Sequence, residues 1–302
     1  MLEHVDLEAG EIRLHRTRTL SEGENIVPQG AEARRGEEVL AAGARLKAAQ
    51  IALAAFCGCA AVPVFVRPKV AILTTGDELV AVEAEPGPGQ IRNSNAPMLA
   101  AMVSAAGGRP WILPRAADES EALDAALDQA AKADLLIVSG GVSAGKFDLV
   151  EDALARAGAC FHFTGVRIQP GKPAVFGELT RRDEDRRVQP FFGLPGNPIS
   201  SAATFLLFVA PVLSALAGEL SLGPRFALAR LAKDIKGRPD LTRFVPAHCS
   251  FGGPASESPQ VAPVPSQGSG DLVSFSRSNC FLVVPEGTDR LPAGEVVRIL
   301  LT

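Results

Sequence analysis

The sequence has few cysteines and no concentrated positive charge. Its five cysteines form an odd and sparse set among 302 residues, too few to cross-link a domain that can bury its own core. We therefore expect free thiols and a cytoplasmic location. Lys and Arg number 30 against 34 Asp and Glu, a formal net charge of −4, and the basic residues form no run. We expect no nucleic-acid partner, because such binding requires clustered positive charge.

Familiar catalytic and metal motifs are also missing. Cys57 and Cys59 form a C-x-C, but no second cysteine pair or nearby histidine supplies the other ligands of a zinc site. We expect these thiols, like the other cysteines, to be buried structural residues. The four histidines are scattered, and neither HExxH nor GxSxG occurs, which argues against a Ser/His/Asp hydrolase.

Membrane and export signals are weak. Residues 1–10 lack a basic segment followed by an apolar one, so we expect no signal peptide. Residues 48–66 and 191–218 carry no charge and are long enough to span a bilayer, but Gly and Pro interrupt both. The first is expected to be a helix end, a turn and a strand, and the second a buried helix preceded by a tight loop. We expect no membrane partner.

The length and the element pattern predict two domains and a smaller third one. From residue 70, short apolar strands alternate with alanine-rich helices, which is typical of a parallel sheet covered on both faces. We predict strands at 70–73, 111–113, 135–138, 166–169 and 191–194, and helices at 97–106, 120–132, 147–157 and 199–217. Ser94 or Asn95 is the expected cap of the first of these helices.

The chain ends are of different character. Residues 1–67 resemble part of a domain, with a strand at 11–15, a loop at 21–30 and a helix near 46–57. Residues 220–302 show strand-like runs at 281–284 and 296–300 between Pro/Gly/Ser turns, which favours a small β-barrel or sandwich. The fold class predicted is α/β, a mostly parallel sheet with helices on both faces at 68–219, preceded by the partial domain and followed by the β-domain. The charged segment 180–188 is expected to be a solvated hairpin tip.

Ligands of an open parallel sheet bind outside the carboxyl ends of its strands, so the loops that leave those ends matter most. The first such loop contains Thr75, Gly76, Asp77 and Glu78. Two adjacent carboxylates at a strand end suit Mg²⁺, which takes oxygen ligands together with substrate phosphates. A solvated turn is the alternative.

The second loop, residues 139–145, has three glycines. Their backbone N–H groups can close on an anion, and the following helix N-terminus adds partial positive charge, so we predict a phosphate-binding loop. It is not a P-loop, because Phe147 stands where Ser or Thr is required. Asp148 is placed to cap the helix, to bind metal or to face water.

Two further loops carry proline. In the third, residues 169–173, Lys172 is held in a proline-stiffened turn, where its ammonium can neutralise an oxyanion such as phosphate or molybdate. A surface turn is the alternative. The fourth, residues 194–198, precedes the uncharged helix, so it offers either another anion-accepting terminus or a packing role only. Carboxylates that can bind a metal ion, together with backbone amides and a lysine that can bind anions, are the groups that phosphoryl and nucleotidyl transfer require.

Taken in order, five segments resemble the molybdopterin molybdenumtransferase family, of the MoeA and gephyrin E-domain type. These are VAILTTGDELV, GQIRNSNAPMLAAMVSAAG, LLIVSGGVSAGKFDLVEDAL, VRIQPGKPAVFG and FFGLPGNPISSAATFLLFVAPVL. The resemblance extends back through GAEARRGEEVLAAGARL and forward through QGSGDLVSFSRSNCFLVVPEG, and so covers nearly the whole chain. It implies a MogA-like α/β domain followed by a small C-terminal β-barrel.

The resemblance implies a function that the residues alone do not name. Family members bind adenylylated molybdopterin, release AMP and insert molybdate at the dithiolene with the assistance of Mg²⁺, and they form homodimers. The catalytic residues implied are Asp77, Glu78, Asp148 and Lys172, and the metal ligands Asp77, Glu78 and Asp148. The implied ligand-binding positions are Thr75, Gly76, Ser94, Ser139, Gly140, Gly141, Ser143, Gly171, Pro195, Gly196, Asn197 and Pro198.

The chain departs from the family pattern in two places. Gln169 stands where many members have the first lysine of Lys-Pro-Gly-Lys-Pro. An N-terminal portion that family members usually carry is not found before Met1. Two alternatives stay open. One is a MogA-type molybdopterin adenylyltransferase, because this chain keeps that family's spacing between the second glycine of the Gly-Gly loop and the acid that follows it. The other, suggested by the N-terminal departure, is a non-catalytic molybdopterin-binding protein.

Overall fold

A computed structural model describes residues 4–117, 119–140, 149–180, 187–220, 223–250 and 258–302. Its contacts divide the chain into two units, Met1–Leu53 and Ala54–Thr302. The first unit contains an antiparallel hairpin of β1 (Val5–Glu8) and β2 (Glu11–Leu14), in agreement with the predicted strand at 11–15. Turns follow, and helix α1 (Ala48–Phe56) spans the division between the units.

The second unit begins with a six-stranded sheet and its helices. The strands up to residue 194 are β3 (Lys69–Thr74), β4 (Leu79–Val80), β5 (Ile91–Arg92), β6 (Arg109–Ile112), β7 (Leu135–Ser139), β8 (Cys160–Phe163), β9 (Ile168–Gln169), β10 (Val175–Thr180) and β11 (Val188–Leu194). The helices are α2 (Asn95–Ala105), α3 (Ser120–Ala130), α4 (Leu149–Arg156), α5 (Pro198–Thr204) and α6 (Ala210–Leu216). A π-helical turn, Phe205–Val209, joins α5 to α6 in one continuous helix.

The sheet has the strand order β6-β3-β7-β11-β10-β8. The first four strands are mutually parallel, and at one edge β10 pairs antiparallel with β11 and β8 pairs antiparallel with β10, so β10 alone runs against the other five. The mostly parallel sheet is therefore confirmed. In the β10–β11 hairpin, Thr180 pairs with Val188, and residues 181–186 of the predicted tip lie outside the described residues.

One predicted strand was assigned to the wrong sheet. Of residues 166–169, only β9 is a strand, and it pairs in parallel with a strand of the C-terminal region, Thr242 opposite Ile168. The backbone of this segment is bonded there as well, since Thr242 N donates to Arg167 O at 3.2 Å. An apolar run does not specify which sheet it joins, because both sheets bury such residues equally well.

Two buried cores lie on opposite faces of the central sheet. On β3 and β7, alternate side chains enter different cores: Ala71 and Leu136 pack with α3 and α4, whereas Ile72 and Ile137 pack with α2 and the α5–α6 helix. This follows from the period of two in a strand. The prediction of helices on both faces is confirmed.

The continuous helix Pro198–Leu216 is packed on two sides. Phe205, Val209 and Leu213 belong to the core on the sheet, while Ile199 and Ala202 join a separate core with strands of the C-terminal region. Among the described residues it is the one helix with the length and apolarity of a membrane span, and half of its most apolar stretch is buried. The two packed faces account for its lack of charge.

The C-terminal region is a closed barrel. Its elements are β12 (Phe226–Leu231), β13 (Ile235–Lys236), β14 (Thr242–Ser250), β15 (Gln260–Pro263), α7 (Leu272–Ser276), β16 (Cys280–Val284), β17 (Arg290–Leu291) and β18 (Val296–Leu301). Five strands follow the order β15-β12-β18-β16-β14, and pairing of β15 with β14 closes the ring. The predicted β-barrel is confirmed, with β9 attached to its β14 strand.

The cysteines are all free, but the prediction that they are buried holds for two only. Cys249 and Cys280 are buried in the barrel core, whereas Cys57, Cys59 and Cys160 are exposed. The prediction was wrong for Cys57 and Cys59 because they follow α1, whose residues are exposed or partly exposed apart from Ala54. Cys160 lies on the edge strand β8 and is exposed there.

The buried thiols predict a loss of stability in alkali. Burial raises the pKa of Cys280 from 9.0 to about 12, and the neighbouring Cys249 contributes to the rise. Because the folded thiol holds its proton more tightly than the unfolded one, its contribution to the free energy of unfolding is complete below pH 9 and is lost between pH 9 and 12. We expect Cys280→Ala to flatten this part of the profile, measured by urea unfolding at several pH values. An equal slope in both proteins would contradict the assignment.

Candidate functional site

Three of the four predicted loops meet at the carboxyl ends of adjacent strands. The strands β3, β7 and β11 are parallel neighbours, so the residues that follow them lie at one edge of the sheet. Backbone hydrogen bonds join these loops: Thr75 N donates to Ser139 O at 3.2 Å, and Gly140 N donates to Leu194 O at 3.2 Å. We call this region the strand-end site, comprising residues 75–78, 139–140 and 195–197.

Two glycines in this site adopt positive φ angles. Gly140 has a φ of +95°, and a Cβ added there would lie 2.5 Å from the backbone oxygen of Thr75. Gly76 has a φ of +133°, and its added Cβ would lie 2.7 Å from Glu78 Oε2. Both positions combine a backbone conformation that favours glycine with close contacts. The predicted glycine turns are therefore dictated by the local geometry.

Asn95, which the sequence suggested only as a helix cap, joins two of the loops. Asn95 Nδ2 donates to Ser139 Oγ at 2.9 Å and to the backbone oxygen of Gly196 at 2.6 Å. Ser139 Oγ also lies 3.5 Å from Ser201 Oγ, whose hydroxyl is bonded to Pro195 O. The side chain of Asn95 thus ties the end of β7 to the end of β11.

Ser94 stands at the N-cap position of α2, as predicted, but its side chain makes no capping hydrogen bond. That bond comes from Asn93, whose Oδ1 accepts from Ala96 N at 3.2 Å and whose Nδ2 donates to Thr74 Oγ1 at 2.9 Å. The capping side chain was not predicted, because Asn, Ser and Asn in succession are all competent caps and the helix register selects among them. The run of three polar residues was the available signal.

The two adjacent acids are exposed at the edge of this site. The side chain of Asp77 is 75% exposed, and its Oδ1 lies 3.7 Å from an Arg115 guanidinium nitrogen. Arg115 also donates to the backbone oxygen of Gly76 at 3.0 Å. No sequence signal pointed to Arg115, which follows the edge strand β6. Its contacts hold the turn that presents Asp77 and Glu78.

These acids are compatible with Mg²⁺ but do not form a complete ligand set. Within the described residues, no three His, Cys, Asp or Glu side chains are grouped as a metal site. Mg²⁺ commonly uses one or two carboxylates together with substrate phosphates and water, so an exposed Asp–Glu pair fits in kind. The predicted residues Gly141, Ser143 and Asp148 lie outside the described residues.

The proline-containing turn after β11 connects the site to the long helix. Pro198 is the first residue of α5, as its fixed φ favours, and Asn197 precedes it with extended backbone and no side-chain cap. Ile199 N donates to Ser269 O at 3.1 Å, so a loop of the barrel region lies against the helix start. The positions Pro195, Gly196, Asn197 and Pro198 therefore form the part of the site that is nearest the barrel.

Lys172 was predicted to act together with these residues, and it lies in the 168–173 loop, outside the residues of the strand-end site. It lines a cavity of about 590 Å³ between the 168–173 loop, the start of α5 and the barrel. We call this the cationic cavity. Gly171 supports the loop, since a Cβ added there would lie 2.5 Å from Thr204 Cγ2 of α5. Ile199 and Ser200, which also line the cavity, follow Asn197 and Pro198 directly, so the helix start borders both regions.

Three cations line this cavity, and its described lining includes no acidic side chain. They are Lys172, Arg238 and Arg243. Burial lowers the pKa of the Arg243 guanidinium, and the charge of Arg238 lowers it further. Two cations held near each other repel, and a bound anion relieves that repulsion. The chemistry of the cavity is therefore that of an anion site.

The sequence offered no local sign of Arg238 or Arg243. They lie 66 to 71 positions after Lys172 in the barrel region, in segments that have no unusual concentration of charged residues.

The barrel loop 265–270, part of which lines the cavity, is held by Asp271, which accepts hydrogen bonds from Gln267 N, Ser274 N and Ser274 Oγ. These bonds, with the Ser274 hydroxyl first, lower the pKa of Asp271 to about 2.

Comparison with known proteins identifies the family. Residues 71–215 match the family described as a probable molybdopterin binding domain, and residues 228–302 match the MoeA C-terminal region (domain IV). The molybdopterin molybdenumtransferase of Nostoc sp. is 35% identical over 92% of this chain, and that of Bacillus subtilis is 34% identical over 97%. The chain belongs to the molybdopterin molybdenumtransferase family.

The structural comparison agrees with the family. A crystal structure of the molybdopterin biosynthesis moeA protein from Pyrococcus horikoshii matches with a TM-score of 0.78 and 28% identity, covering 100% of this chain and 70% of that one. The chain spans 63% of the Nostoc relative and 66% of the Bacillus relative. The two family matches correspond to the α/β region and the barrel, which supply the opposite walls of the cationic cavity.

Proposed function

We propose that this chain is a molybdopterin molybdenumtransferase that binds adenylylated molybdopterin, inserts molybdate at the dithiolene and releases AMP. The observation that carries the proposal is the pairing of two sites at the start of one helix. The strand-end site ends at Asn197, and the cationic cavity begins at Ile199. A reaction that joins a nucleotide-tagged substrate to an oxyanion needs two such adjacent sites, one for each reactant.

In this proposal the strand-end site holds the nucleotide-tagged pterin. The backbone around Ser139 and Gly140, continued by Gly141 and Ser143, would bind phosphate, as the glycine geometry at Gly140 supports. Asp77 and Glu78, with Asp148, would hold Mg²⁺, which when bound neutralises charge on the phosphates. The exposure of both acids supports this role, because neither is committed to the core. Arg115 would keep the acidic turn in place through Gly76.

The cationic cavity is proposed as the molybdate site. Molybdate is a dianion, and Lys172, Arg238 and Arg243 supply positive charge from two different regions of the fold. Charge-assisted hydrogen bonds from such groups are stronger than neutral ones. Gln169, which stands in place of a family lysine, also lines the cavity, so three cations rather than four are present here.

The cavity also favours the proposal over a molybdopterin adenylyltransferase. Two of its three cations come from the barrel region, which matches the MoeA C-terminal region (domain IV). Adenylyl transfer also handles oxyanions, since ATP and pyrophosphate are both oxyanions, so the positive charge alone does not separate the two reactions. The contribution of a MoeA-type barrel to the anion site supports the molybdenumtransferase.

The test is AMP release by the purified chain. With adenylylated molybdopterin as substrate, we expect AMP to be released only when both molybdate and Mg²⁺ are present, and sulfate should not replace molybdate. The released AMP is measured by chromatography. Accumulation of adenylylated molybdopterin from ATP and molybdopterin, without molybdate, would favour the adenylyltransferase. Tight binding of the substrate with no AMP released under any condition would favour a non-catalytic binding protein.

We also propose that the chain forms a homodimer and acts in the cytoplasm. Helix α1 carries no charge, and Ile51 and Phe56 on it are 59% and 68% exposed, which supports a surface that a second copy covers. The five free cysteines support a reducing compartment. Sedimentation equilibrium is expected to give twice the chain mass of 31.5 kDa.

A further inference from the structure

Two buried polar atoms at the strand-end site have no hydrogen-bond partner. They are Thr75 Oγ1 and Asn95 Oδ1, and in the described part of the second unit they are the only buried side-chain nitrogen or oxygen atoms in this condition. Thr75 is 2% exposed. Leaving such atoms unpaired is costly, and nearly all buried polar atoms in folded proteins are paired. Two at one edge of one sheet indicate that a ligand supplies the missing partners.

The contacts of Asn95 establish what kind of partner is missing. Its Nδ2 has two hydrogens and two acceptors, Ser139 Oγ and Gly196 O. The reverse orientation of the amide would place Oδ1 at 2.6 Å from the Gly196 oxygen, two acceptors in contact. Oδ1 is therefore the unpaired atom, and it can only accept. Its partner must carry an N–H or O–H.

Thr75 contacts the same segment, residues 139–140. Its backbone N is bonded to Ser139 O, and its Oγ1 lies 3.3 Å from the position of a Cβ added to Gly140. The hydroxyl thus lies close to the backbone of Gly140, where the two loops meet. A hydroxyl can donate or accept, so Thr75 and Asn95 together present one acceptor and one atom of either kind.

We propose that Thr75 and Asn95 form a recognition pair for a neutral hydrogen-bond donor of the substrate, an amine, ring N–H or hydroxyl. The inference rests on the proposed function for the identity of the substrate. The two phosphates that join the pterin to the adenosine form a diester that is fully ionised at neutral pH and has no hydrogen to offer to Asn95 Oδ1, so the donor-bearing part of the substrate, and not its phosphates, is placed at this pair. Both the pterin and the adenosine carry such donors.

The decisive variant is Thr75→Val, which keeps the shape and removes the hydroxyl. Since that hydroxyl has no partner among the described residues, we expect an unchanged or raised Tm, whereas affinity for adenylylated molybdopterin should fall about 3- to 10-fold, the value of one neutral hydrogen bond. Thr75→Ser keeps the hydroxyl and is expected to bind within about twofold of the wild type. A residue with a purely structural hydrogen bond would instead lose stability when made Val.

Separate titrations locate the donor on the substrate. A loss of affinity by Thr75→Val for AMP, with molybdopterin binding unchanged, assigns the pair to the adenosine, and the opposite result assigns it to the pterin. Thr75→Ala provides a second removal of the hydroxyl and should show the same selectivity.

The outcomes separate this inference from the proposed function. Equal binding of adenylylated molybdopterin by the wild type, Thr75→Val and Thr75→Ala would overturn the inference alone. A lowered Tm in Thr75→Val, with unchanged affinity, would do the same, because it would give the hydroxyl a structural partner. If the wild type fails to bind adenylylated molybdopterin, both the proposed function and the recognition pair are wrong.

Discussion

Replacing both Asp77 with Asn and Glu78 with Gln is expected to lower the rate of AMP release at least about 100-fold, the scale associated with losing charge stabilisation of a transition state. The fold should not suffer. Both side chains are exposed, and the ion pair of Asp77 with Arg115 is of a kind that contributes at most about 1 kcal/mol to stability. We expect a Tm close to that of the wild type and a residual rate that no longer depends on Mg²⁺.

A matched control lies a few residues further along the chain. Glu83 and Glu85 are likewise exposed acids between β4 and β5, and Glu83→Gln with Glu85→Gln makes the same change of net charge. This variant should retain the wild-type rate and its dependence on Mg²⁺. If Asp77→Asn with Glu78→Gln turned over like the control, the metal assignment would be wrong.

Removing two cations from the cationic cavity is the second large effect that we expect. Lys172 and Arg238 are both exposed at its edge, so Lys172→Gln with Arg238→Gln should fold normally. Two unit charges 4 Å apart interact by about 4 kcal/mol at an effective dielectric of 20, and partial exposure reduces this. At about 1.4 kcal/mol for each lost charge, molybdate affinity should fall about 100-fold, measured by isothermal titration calorimetry.

The control for this variant changes the same number of charges away from the cavity. Lys233 and Arg225 are exposed residues of the barrel region that do not line it. Lys233→Gln with Arg225→Gln should leave molybdate affinity within about twofold of the wild type. A similar loss in both double variants would mean that net charge alone governs the affinity, and the cavity would not be the molybdate site.

Much of the α/β region follows from local sequence. The strand at 70–73 was predicted because its side chains are apolar on both faces, a pattern that only a sheet covered on both sides can bury. Gly140 and Gly76 were predicted as turn residues at strand ends, and their positive φ angles, together with the close approach of the Thr75 backbone at Gly140, explain why glycine stands there. Because the strands that precede these loops are parallel neighbours, the loops lie at the same edge of the sheet.

The failures have a common origin in contacts between distant segments. The β9 strand was assigned to the central sheet although it pairs with β14, and the two arginines that line the cationic cavity with Lys172 were not predicted. The strand β14, which begins with Thr-Arg and has Pro246 in the middle, was not predicted. Apolar and polar residues alternate only weakly along β14, because the closure of the barrel, rather than the strand preference of its own residues, selects the strands with which it pairs.

The sequence by itself determined the family, the mostly parallel sheet with helices on both faces, the barrel class and the strand-end loops, because these depend on apolar periodicity, glycine positions and ordered motifs within a few tens of residues. Only the tertiary structure decided that Asn95 ties β7 to β11, that Arg115 holds the acidic turn, and that Arg238 and Arg243 meet Lys172. Each of these contacts joins side chains from distant segments, and their meeting depends on strand order and barrel closure, which no local pattern encodes.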